Sequence, residues 1–92
     1  MSTIVFSSIT EDAESDSYVS SGNMVFSVVG QWKSGTITFE VDIGSGFVVA
    51  GIITTLNKRV FPVIIPAGVN FKLVVNNLNT DEEGITVEYI DT

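Results

Sequence analysis

The side chains that most often carry chemistry are scarce in this sequence. It has no histidine and no cysteine, and four basic residues stand against 11 acidic ones. Without imidazole or thiol, Ser-His-Asp and Cys-His schemes are excluded, as are disulfides and thiolate metal clusters. What remains is carboxylate chemistry. A carboxylate pair can act as general acid and base, as in glycoside hydrolysis, but only in a walled cleft that raises one pKa and holds the substrate. No convergent set of groups stands out along the chain, so the expectation is a protein that is not an enzyme and uses neither cofactor nor metal.

The individual candidates each have a plainer explanation. Glu11, Asp12, Glu14 and Asp16 could offer oxygens to calcium, yet they lack the glycine and closing glutamate of a calcium loop and read as a hydrated acidic loop. Asp81-Glu82-Glu83 reads as a loop tip before the last strand. Gly44-Ser45-Gly46 has the glycine content of a phosphate cradle, but that motif runs into a helix, whereas here a strand follows. Its glycines suit a tight hairpin instead. Trp32 either anchors packing, in the core or between subunits, or presents an aromatic platform to a glycan or protein. Packing is favoured because large aromatics contribute most when fully desolvated. Tyr18 and Phe61 pose the same alternative.

These residues must be positioned by strands. Val, Ile, Thr and Phe dominate, and apolar positions recur every second residue. Ile37, Phe39 and Val41 alternate with Thr36, Thr38 and Glu40, and Ile85, Val87 and Tyr89 alternate with Thr86 and Glu88. Each run therefore has one dry and one wet face. The segments MVFSVVG from residue 24, FVVAGII from 47, VFPVII from 60 and FKLVV from 71 are apolar on both faces, which predicts strands covered on both sides. Pro62 has no amide hydrogen for a ladder and predicts an edge or a bulge. Turn signals fall at Ser21-Gly22-Asn23, Lys33-Ser34-Gly35, Gly44-Ser45-Gly46, Asn57-Lys58, Pro66-Ala67-Gly68 and from Asn76-Asn77 to Gly84. The resulting fold class is all-β, an antiparallel β-sandwich of about seven to eight strands, immunoglobulin-like or jelly-roll. Residues 1–92 form one domain, with residues 1–16 as an N-terminal strand or arm and an acidic loop.

Composition bounds the partners. The formal charge of −7 argues against nucleic acid, since phosphate neutralisation needs clustered Lys and Arg and only Lys58-Arg59 pairs up. A hydrophobic fraction of 45% and a mean hydropathy of +0.41 are high for so short a chain, yet no run reaches the roughly 18 apolar residues of a membrane helix. Surplus apolar surface points to subunit contacts. The opening residues, MSTIVFSSIT, lack the pattern of a secretory signal, so synthesis in the cytoplasm is expected.

The order GQWKSGTITFEVDIGSGF (residues 30–47), VFPVIIPAGVNFKLVVNN (60–77) and GITVEYI (84–90) resembles a pattern in small virion proteins of tailed bacteriophages. The resemblance covers about residues 30 to 90, with Trp32, Gly35, Gly46, Pro66 and Gly68 at matching structural positions. It implies a non-enzymatic capsid decoration or cement protein made in the host cytoplasm and located on the virion surface. It also implies a homotrimer seated over major capsid protein subunits. The interface residues expected on this reading are Ile4, Val5 and Phe6, which could add a strand to a neighbour, with Tyr18, Trp32 and Phe61. The alternative is a tail, fibre or baseplate module that binds host-surface glycan or another virion protein. For a glycan site, Trp32, Tyr18 and Phe61 would have to be exposed together.

Overall fold

The computed structural model describes residues 2–53 and 59–91, with only the backbone of Ile53 and Arg59. Nine strands appear in it: β1 (Ser2–Ile9), β2 (Ala13–Glu14), β3 (Tyr18–Val19), β4 (Asn23–Val29), β5 (Trp32–Asp42), β6 (Phe47–Ile53), β7 (Arg59–Ile64), β8 (Asn70–Thr80) and β9 (Ile85–Asp91). Among the described residues there is no helix. One sheet has the order β1-β9-β4-β7 and the other β2-β8-β5-β6, with β3 also paired to β8; all pairings are antiparallel. This is the expected sandwich.

Its topology decides between the two expected types. β2 and β3 lie along the same side of β8 and count as one broken strand. The pairings then nest: first strand with last (β1–β9), second with second-last (β2/β3–β8), third with third-last (β4–β7), and the central hairpin β5–β6. A long hairpin rolled into two layers in this way is a jelly roll. The pairs β4–β9 and β5–β8 close the roll.

The centre of the core is a contiguous cluster of six aromatic rings, three from each sheet. Phe61, Phe26 and Tyr89 are direct cross-strand partners in one row across β7, β4 and β9. Neighbouring strands lie about 4.8 Å apart, so rings in such a row stack: Phe26 lies 4.9 Å from Tyr89 at 24° and 6.2 Å from Phe61 at 14°. The facing sheet contributes Phe39, Phe71 and Tyr18, which meet this row mainly edge-on. Phe39 is 5.1 Å from Phe26 at 84°, and Tyr18 is 5.9 Å from Tyr89 at 78°. Stacking within a sheet and edge-to-face contact between sheets are the two arrangements that the ring quadrupole favours.

Trp32 lies in the buried core, which settles its alternative for packing. Its Nε1 has no hydrogen-bond partner among the described residues, an unmet donor that costs stability. The N-terminal residues are not a free arm. Residues 2 to 9 form β1, paired with β9 from Ser2↔Ile90 to Ile9↔Ile85, and Phe6 is in the core. The acidic stretch is likewise not a free loop. Ala13 turns inward while Glu14 faces solvent, the Ser15 amide donates to Leu73 O, and the Leu73 amide donates to Ser15 Oγ. Pro62 lies in an edge strand, as its missing amide requires. The expected turn at Asn57-Lys58 falls outside the described residues.

One corner shows how closely the backbones pack. Gly84 has φ +73°, and a Cβ there would collide with the carbonyl of Ile9 at the end of β1; Gly30 presses on Gly84 from the other side. Gly44, in the β5–β6 hairpin, also has positive φ (+96°) but open space around it. Gly84→Ala should therefore cost at least about 2 kcal/mol, combining strain with collision, and Gly44→Ala only about 1 kcal/mol. Equal losses in urea unfolding would show that the close approach has no weight. Phe26→Ala, which removes the ring shared by both layers, should lose about 3–5 kcal/mol. Such a loss is most of the stability of a small domain, so the variant's midpoint should collapse or the protein arrive unfolded.

Candidate functional site

The acidic residues are spread along the chain, and several of them serve as local staples. Asp42 Oδ1 accepts from the Gly44 amide at 2.8 Å and shapes the hairpin tip. Asp81 Oδ1 accepts from the amides of Glu83 and Gly84 at 3.1 and 3.2 Å. Asp12 Oδ1 accepts from the Leu78 amide at 2.8 Å, tying the crossing segment to β8. Glu14 and Glu40 flank Lys72, whose Nζ lies 3.3 Å and 3.9 Å from their carboxylates and 4.5 Å from the centre of the Phe47 ring. That one cation links β2, β8, β5 and β6 across the outer face of their sheet. Among the described residues, no three carboxylates gather where they could hold a metal. Burial, with Asp16 and Tyr89 adding to it, pushes the Tyr18 hydroxyl above its usual pKa, so it stays protonated and is no base near neutral pH.

Two hollows are apolar rather than catalytic. The first, about 260 Å³, opens between β6 and β7, with Phe39 and Phe61 among its walls and no ionisable side chain. On its β6 wall Gly51 stands opposite Phe39, and a Cβ there would meet nothing within 4 Å. The second, about 290 Å³, is a shallow trough that includes Ser2, Val25, Ser27, Val60 and Ile90, with Glu88 as its one carboxylate. Neither brings together an acid, a base and a nucleophile.

The surface feature that stands out is apolar exposure. On the outer face of β1-β9-β4-β7, cross-strand register sets Ile90 beside Val25 and Val25 beside Pro62, and Ile64 lies one step along β7. Ile4 is 57% exposed, Val60 66% and Ile64 76%. On β6, Val49 and Ile52 are 59% and 61% exposed, and Phe47 and Val48 are exposed as well. Leaving such side chains in water forgoes about 25 cal/mol per Å² of burial. FVVAGII was expected to be covered on both faces; instead it ends its sheet, and among its described side chains Phe47, Val48, Val49 and Ile52 are exposed.

Of the interface residues expected from sequence, the structure leaves only Ile4 well exposed. Val5, Tyr18 and Phe61 are half-buried, and Phe6 and Trp32 are in the core. Trp32, Tyr18 and Phe61 therefore form no shared platform. The exposed residues that sequence reasoning missed, Val49, Ile52, Val60 and Ile64, were visible as surplus hydrophobicity but not as a location.

Comparison with known proteins agrees with the fold. No family model matches the chain, and no curated relative matches it. Among solved structures, the crystal structure of the SPBc2 prophage-derived protein YomS is similar over 97% of this chain and 88% of that one, with a TM-score of 0.70 and 16% identity. At that identity the likeness is one of architecture: a sandwich of closely similar size and layout.

Proposed function

We propose that this chain is a non-enzymatic structural protein of a bacteriophage particle, acting by protein–protein contact, and that its role is capsid decoration. The observation that carries this reading is the apolar outer face of β1-β9-β4-β7, with Ile4, Val60 and Ile64 standing in solvent and Glu88 the one carboxylate among the residues lining the trough that Val60 borders. A face of this kind fits another protein better than a substrate, since it offers area to bury and no reacting groups. The prophage origin of the similar structure supports the phage setting, and jelly rolls recur in virus shells, although fold alone does not fix function.

Decoration needs no chemistry. A protein that binds only the assembled shell stabilises it by mass action, and many copies acting on one lattice multiply the effect. The major capsid protein is the partner in this reading, and the outer face of β1-β9-β4-β7 is the contact. The tail or baseplate alternative survives as binding to another virion protein. Its glycan form loses support because Trp32 lies in the core and cannot stack on a sugar.

The test is binding of the purified protein to capsids of the phage that encodes it, assembled without it. Saturable binding at regular lattice positions is expected, with Ile4→Lys/Ile64→Lys weakening it at least about tenfold while the far-UV circular dichroism stays that of the parent. Equal binding by the double variant would remove the assigned face, and label found on tails instead of heads would replace decoration with the tail role.

A further inference from the structure

Four strand positions end the two sheets, and each leaves a row of backbone amides and carbonyls unpaired within the chain. Three of them carry devices that discourage a further strand. β1 has two register shifts against β9 and a positive φ at Ser8. β2 and β3 are two-residue fragments set among Glu11, Asp12, Glu14 and Asp16. β7 contains Pro62, which cannot donate. β6 differs: FVVAGII has seven residues with no charge and no proline. Its one irregularity is a bulge at Ala50 on the side of β5.

Charge follows the same division. From Ile43 to Phe71 the only charged residues are Lys58 and Arg59, whereas Lys33, Lys72 and all 11 acidic residues lie elsewhere in the sequence. In space, Glu40 and Asp42 of β5 stand beside Val49 and Phe47, and Lys72 sits by Glu40 and over the Phe47 ring, so charges of both signs flank a strand that itself carries none. The side chains of β6 itself, Phe47, Val48, Val49 and Ile52, at 36% to 61% exposure, present roughly 350 Å² per copy, so such a join is small and rests on its strand ladder as well as on apolar burial.

We propose that β6 is a self-pairing edge: two copies of this chain lay β6 antiparallel to β6 across a two-fold axis, joining their β2-β8-β5-β6 sheets into one. The partner strand must itself be an unprotected edge, and within this chain β6 is the one that qualifies among the described strands. A strand meeting its own copy about a two-fold axis is antiparallel by symmetry. A three-fold ring built through edges would need β6 to meet a different edge, and each of the others is blocked. The pairing does not depend on the capsid reading, since it needs no particle.

The experiment is sedimentation equilibrium of the purified full chain in the micromolar range, with no particle present. The wild-type protein should have twice the 9.9 kDa chain mass, and Val49→Lys should return to the single-chain mass with an unchanged circular dichroism spectrum. Val19→Lys, on the opposite edge of the same sheet, should remain dimeric. Because the chain has no cysteine, Ala50→Cys at mid-strand should give a covalent dimer on mild oxidation, and Val19→Cys should not. A wild-type monomer, a trimer, or a dimer that Val49→Lys leaves intact overturns the proposal. A monomer that still coats capsids overturns self-pairing alone, and a dimer indifferent to capsids overturns decoration alone.

Discussion

The two sheets depend on one packed set of rings. Phe26 touches Phe39, Phe61, Phe71 and Tyr89, and through Phe71 and Tyr89 the contact reaches Tyr18. These six side chains come from six different strands, β3, β4, β5, β7, β8 and β9, so the cluster joins most of the chain at one depth. It also fixes register. Phe61, Phe26 and Tyr89 share a row, and a slip of one residue on any of these strands would turn its ring from core to solvent. A 92-residue chain hides a modest fraction of its surface, so large rings at shared positions supply much of the available driving force.

Nested pairing explains the remaining tight points. Since β1 pairs with β9, the two ends of the chain lie side by side, with Ser2 opposite Ile90. Every closing contact therefore spans a long loop of sequence, a topology that folds slowly and gains little from local structure. Local fixtures hold the corners once they form. Ser20 is buried; its hydroxyl donates to the Ile65 carbonyl at 2.7 Å and accepts from the Gly22 amide at 3.0 Å. Its own amide and carbonyl bond to Val69 and Gly68. One small side chain thus pins the turn between β7 and β8 to the start of β4. Where Ile9, Gly30 and Gly84 converge, the backbones themselves are in contact and no side chain fits between them.

How much of this could be read from the sequence depended on whether a strand's environment matched its pattern. β9 alternates as its pattern says, with Ile85, Val87 and Tyr89 buried, whereas in β5 Ile37 and Phe39 are buried but so is Thr38, expected on the wet face, and Val41 is only half-buried. Pro62 marked an edge or a bulge because it lacks an amide for a ladder, and it lies in the edge strand β7. The glycines of the β5–β6 hairpin were legible for a similar reason, and both have positive φ. The acidic stretch is solvated as read, with Glu11, Asp12, Glu14 and Asp16 exposed; its tie to β8 was not legible, because β2 is too short to show alternation and the pairing is completed by backbone and hydroxyl groups of Ser15, which carry no pattern. The choice of jelly roll over immunoglobulin topology lay in long-range pairing, which local sequence does not encode. FVVAGII was misplaced for a subtler reason: an apolar run on both faces describes a central strand and an unsatisfied edge equally well.

That ambiguity bears on why the molecule has a bare side at all. At the β1 and β2/β3 side, the short crossing after Ile9 closes the layers, and Asp12 and Ser15 fasten it to β8. At the opposite side the ring cluster gives out. Among the described side chains β6 contributes no ring to it, and Gly51 stands opposite Phe39 beside an apolar hollow. β6 is held mainly by its ladder to β5 and by Lys72 resting on Phe47. An edge strand whose described side chains Phe47, Val48, Val49 and Ile52 are apolar and exposed lacks the charge that usually guards such a position. Its composition makes physical sense when those side chains are covered by something outside the chain.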